Sequence, residues 1–115
     1  MTTKINFKDD DTIDLLRSSI YAKKKETRKK RRSQEDRTEL DDARYDYELA
    51  RLGVLDAQLH LEWRLSYNKK YNEFLDKIDV KQNRLKIEMC KLEIEKAEQT
   101  LASADADYGR AITKS

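Results

Sequence analysis

From Leu40 onward the large apolar side chains fall into step. Leu40, Tyr47, Val54 and Leu61 recur every seven residues, and Ala43, Ala50 and Ala57 follow the first three of them at a spacing of three. This is a coiled-coil heptad with a large residue at one seam position and a small one at the other, which lets two helix backbones approach closely. The C-terminal half repeats the design. Val80, Ile87, Ile94, Leu101 and Tyr108 are its large positions, and Asn83, Cys90, Ala97, Ala104 and Ala111 are mostly small. A second apolar stripe runs on nearly the opposite face. It comprises Tyr45, Leu49, Leu52, Leu59, Trp63 and Tyr67 in the first segment, and Phe74, Ile78, Leu85, Met89 and Leu92 in the second.

Both stripes mirror about a point between residues 70 and 71, inside the polar stretch SYNKKYN. The mirror sets Leu61 against Val80 and Tyr47 against Ile94 on the first stripe, and Leu52 against Met89 on the second. Asn68 and Asn72 tolerate turn conformations, so the pattern predicts an antiparallel helical hairpin over residues 40–108 with its turn near 68–72. Gly53 is a rival break, but both stripes pass through it in phase, which predicts a bend or a close helix contact there. Gly109 is the expected C-terminal cap, leaving 109–115 as a tail. The competing architecture is one helix from about Thr12 to Tyr108, a rod of roughly 145 Å against roughly 85 Å for the hairpin.

The N-terminal third reads differently. After an arm over residues 1–11, Asp9, Asp10, Asp11 and Thr12 offer helix-capping oxygens before the apolar spacing Ile13, Leu16 and Ile20. From Lys23 to Glu39 no side chain is hydrophobic. Residues 12–39 are therefore expected as a charged helical overhang beyond the paired hairpin. The segment from Ile13 to Tyr21 could fold back over part of the second stripe but is too short to cover all of it.

Composition supports this architecture. The chain has 115 residues, 42% of them charged and 37% hydrophobic, with no proline and two glycines. This balance argues against a round globule with a large core, and an all-α coiled coil is favoured over disorder because the net charge is only +2. No apolar run is long enough for a signal peptide or a membrane span. The single cysteine, Cys90, cannot form an internal disulfide, so the cytoplasm is the expected compartment, with signal-less export or packaging in a virion as the alternatives.

Candidate chemistry is sparse. His60 has no cysteine or second histidine near it in sequence, so neither a metal site nor a catalytic dyad is expected. Cys90 reads as a small seam residue. No nucleophile motif or glycine-rich phosphate loop is present, so the chain is expected to be no enzyme and to need no cofactor.

The pointed feature is residues 23–32, KKKETRKKRR, which carry eight positive side chains and one negative. Lys23, Lys24, Lys25, Arg28, Lys29, Lys30, Arg31 and Arg32 could neutralise phosphates of a nucleic acid or face an acidic protein surface. Without interleaved aromatic residues such binding would be blind to sequence. Alternatively the block neutralises the acids of residues 35–48 between antiparallel chains. A basic region followed by heptads resembles the leucine-zipper plan, but the block contains no asparagine and alanines stand where zippers need larger residues.

A two-helix hairpin can use one stripe for its own seam, and the other then marks an interface. The sequence therefore predicts a non-enzymatic assembly protein that forms a homo-oligomer or binds a helical protein partner. The alternative is a nonspecific nucleic-acid binder that uses the basic block.

Overall fold

The computed structural model describes residues 10–71 and 77–114, and places them in three long helices: α1, Asp10–Ser33; α2, Glu39–Tyr71; and α3, Lys77–Lys114. The protein is all-α, and α2 packs against both other helices. Side-chain pairs fix the directions. Arg17 meets Asp56 and Arg31 meets Asp42, so α1 runs antiparallel to α2. Glu39 meets Lys114 and His60 meets Glu93, so α3 runs antiparallel to α2 as well. The longest dimension is 57 Å. That is the length of α3 alone at a rise of about 1.5 Å per residue, so the single-helix rod is excluded.

The first stripe forms the α2–α3 seam. Ala43 and Val54 on α2, and Cys90, Ala104 and Ala111 on α3, are buried. Leu40, Tyr47 and Leu61 are half-buried, as are Val80, Ile87, Ile94, Leu101 and Tyr108. The register differs from the expected mirror. Tyr47 packs its ring at a tilt against that of Tyr108, centroids 5.6 Å apart, rather than lying against Ile94. Two causes combine. Helix α2 continues through the residues expected to turn, as far as Tyr71, so the fold-back falls later; Asn72 and the rest of the link lie outside the described residues. Helical side chains also lean toward their own N-terminus, which displaces contacts between antiparallel helices toward higher residue numbers.

Asn68 is thus not a turn residue. It continues the seam spacing from Leu61 and is buried, as is Asn83 on α3. Gly109 is not a cap either. The helix runs on to Lys114 because Ala111 extends the small-residue seam by another turn, and Lys114 then reaches Glu39. Gly53 lies inside α2 with no atom within 4 Å of where a Cβ would stand, so no close helix contact requires it.

Helix α1 is no overhang. It folds back along α2, burying Ile13 completely, and its half-buried face continues through Leu16, Arg17, Ile20, Lys24, Thr27 and Arg31 to Gln34. The apolar contact thus gives way to a polar one along a single face. The 34–38 hinge is held by hydrogen bonds rather than by glycine or proline. Arg37 donates to the carbonyl oxygens of Arg31 and Gln34 at the end of α1, and its Nε donates to Asp42 at 2.9 Å. Across the hinge, the Gln34 side chain donates to Asp41 and accepts from the Tyr45 hydroxyl. Thr38 and Asp41 form a capping box at the start of α2: Thr38 Oγ1 accepts from the Asp41 amide at 3.1 Å and the Asp41 carboxylate accepts from the Thr38 amide at 3.2 Å.

Candidate functional site

The two halves of the second stripe part company in the structure. On α2, Leu52 is buried and Tyr45, Leu49, Leu59, Trp63 and Tyr67 are half-buried. On α3, Ile78, Leu85, Met89 and Leu92 stand 66%, 64%, 61% and 58% exposed. Phe74 lies outside the described residues. The expected pairing of Leu52 with Met89 is therefore absent, because the first stripe occupies the seam and turns these two residues away from each other.

The exposed row has its own heptad logic. Ile78, Leu85 and Leu92 are seven residues apart, and Met89 sits one turn before Leu92. Two shallow hollows open along this face. One is lined by Lys81, Arg84, Leu85, Ile87 and Glu88, the next by Met89, Leu92, Glu93, Glu95, Lys96 and Gln99. Basic side chains dominate the first end and carboxylates the second.

The basic block divides as well. Arg31 is taken up by α2, pairing with Asp42 at 3.3 Å and Asp46 at 2.7 Å, and Lys30 pairs with Glu26 one turn earlier. Lys24 lies in the half-buried contact face. Lys23, Lys25, Arg28, Lys29 and Arg32 are exposed. Charge neutralisation between the basic and acidic blocks thus occurs inside one chain, through Arg31.

His60 is not isolated. The hairpin carries it against α3, where its Nδ1 lies 3.0 Å from Glu93 Oε2 and 3.8 Å from Cys90 Sγ. All three donor atoms fall within 4.8 Å of one another. Cys90 is 3% exposed, whereas Glu93 faces solvent. Burial, reinforced by the Glu93 carboxylate, raises the Cys90 thiol above its usual range, while the Arg64 and Arg17 guanidinium groups act the other way. The His60 ring stacks on Trp63, centroids 6.3 Å apart. Trp63 stacks in turn on Tyr67, and Arg64 lies over both of these rings. The sequence hint was Cys90 and Glu93 one helical turn apart; assigning His60 to them requires the hairpin register.

No helix among the described residues is long and apolar enough to cross a membrane. No protein family matches the chain, and no curated protein or solved structure is significantly similar to it.

Proposed function

We infer that this is a non-enzymatic assembly module of the cytoplasm, in which the outer face of α3 docks on the same face of a second copy. The observation that carries this reading is the open row Ile78, Leu85, Met89 and Leu92, at coiled-coil spacing on an otherwise highly charged chain. Charge selects the arrangement. With a two-fold axis near Met89, antiparallel α3 helices set Leu85 against Leu92 of the second copy and the basic end with Lys81 against the acidic end with Glu95. A parallel arrangement would set like charges side by side. The product is a bundle with a central α3–α3 contact. Sedimentation at micromolar concentration should give a dimer, and Leu85→Asp with Leu92→Asp should give a folded monomer. A wild-type chain that stays monomeric at high concentration overturns the reading.

A nucleic-acid role is the second reading, supported by Lys25, Arg28, Lys29 and Arg32 on the solvent side of α1. It requires affinity for random-sequence DNA or RNA that falls steeply with salt, and loss of that affinity when these four become Gln. No binding at low salt eliminates it.

A further inference from the structure

We propose that His60, Cys90 and Glu93 form a binding site for a borderline-soft divalent cation of the zinc class, which clamps α2 to α3 partway along the hairpin. The donor set is the first argument. One imidazole nitrogen, one sulfur and one carboxylate oxygen are the mixed ligands that Zn2+ accepts, whereas Mg2+ and Ca2+ favour oxygen alone.

Geometry is the second. Zinc bonds of about 2.0–2.3 Å in a tetrahedron give ligand–ligand edges of roughly 3.3–3.6 Å. The observed Nδ1–Oε2 and Nδ1–Sγ separations are 3.0 and 3.8 Å, and all three donors lie within 4.8 Å. The half-exposed Glu93 side chain can open its 3.0 Å approach by rotation, and the His60–Cys90 edge has to close by a few tenths of an ångström.

The convergence of the donors also distinguishes a cation site from a catalytic relay. In a Cys–His–carboxylate relay the thiol and the carboxylate address different ring nitrogens, so that one orients the ring while the other exchanges a proton. Here both Sγ and Oε2 converge on Nδ1. One nitrogen cannot serve both partners at once, but a cation at their common focus meets all three. The surroundings suit that use. Stacking on Trp63 fixes the plane of the His60 ring, Cys90 closes the inner side, and Glu93 leaves a solvent-facing fourth position for water. Because the ligands come from two helices, a bound ion adds a cross-link absent from the unfolded chain, so binding and stability are linked.

The test uses the untagged full chain with Co2+ as a spectroscopic probe and Zn2+ as competitor. The expected result is one Co2+ per chain, with a thiolate-to-cobalt charge-transfer band and strong visible bands of a tetrahedral site, both erased by Zn2+. Zn2+ should also raise the melting temperature. Cys90→Ser should abolish the charge-transfer band, and Glu93→Gln should weaken Co2+ binding by roughly tenfold or more. Glu93→Gln is the decisive variant because its exposed position leaves folding intact, as helical circular dichroism will verify. Absence of a charge-transfer band in the wild-type chain, or undiminished affinity in Glu93→Gln, overturns the assignment.

Discussion

Leu52 on α2 and Met89 on α3 belong to the same kind of stripe, yet Leu52 is 8% exposed and Met89 61%. Hydrophobicity does not separate them; the supply of covering surface does. Helix α1 has 24 residues and packs chiefly on α2, so a length of roughly 36 Å is available to shield one face of that helix. The α2 stripe becomes core and the α3 stripe stays open. A periodic apolar face says that something will be covered, and the rest of the chain decides whether the cover comes from within.

Charging both stripes equally should give the largest difference between them. Leu52→Asp places an unpaired carboxylate at a buried position of α2, at a cost of several kcal/mol against a total of about 5–15 kcal/mol for a domain. It should abolish cooperative melting. Met89→Asp leaves its carboxylate in water, so the monomer's stability should change by no more than about 0.5 kcal/mol, while sedimentation shifts toward monomer. If thermal melts show both variants unfolded, the α3 row is core and the contrast fails.

The seam was readable in the sequence because its seven-residue spacing survives every local irregularity. Its register was not, since a heptad pattern looks the same after a slip of seven residues and only the end of α2 at Tyr71 distinguishes the alternatives. The return of α1 was half legible. Ile13, Leu16 and Ile20 announce an apolar face, but Lys24, Thr27, Arg31 and Gln34 continue it at the same spacing with polar side chains, which a search for apolar residues passes over. The hinge signal, Thr38 three residues before Asp41, was present and is local in cause. The His60 cluster could not be read at all, because it joins residues on different helices.

A smaller effect probes how tightly the seam is packed. Gly53 and Gly109 both lie within helices, with open space where a Cβ would stand and no positive φ to require glycine. Gly53→Ala and Gly109→Ala should each raise stability by about 0.5–1 kcal/mol through helix propensity alone. Chemical denaturation will measure it. Destabilisation at Gly53 would mean that the α2–α3 contact is closer than described and that the glycine is required by packing.

The finest probe acts on the hinge that keeps the α2 stripe covered. The Asp41 carboxyl is held below its usual range chiefly by its hydrogen bond from the Thr38 amide, then by the Thr38 hydroxyl, with Arg44 and Gln34 assisting and desolvation opposing. A carboxyl whose folded pKa is depressed contributes stability that is fully present above its unfolded value, about 3.9. That contribution is lost as pH falls through the lower folded value, because the protonated acid no longer accepts these bonds as an anion. The melting-temperature gap between wild type and Asp41→Ala should therefore be constant from neutral pH down to about pH 5, then shrink steadily under stronger acid. Comparing the two chains isolates Asp41 from the other carboxylates that titrate in the same range. Thr38→Ala should lower stability at neutral pH by about 1 kcal/mol and narrow the gap between Asp41 and its alanine variant, because the hydroxyl half of the capping box is gone. A gap that stays constant to pH 2 would show that the cap acts through shape rather than charge. The hinge would then hold α1 over Leu52 without any help from the acid.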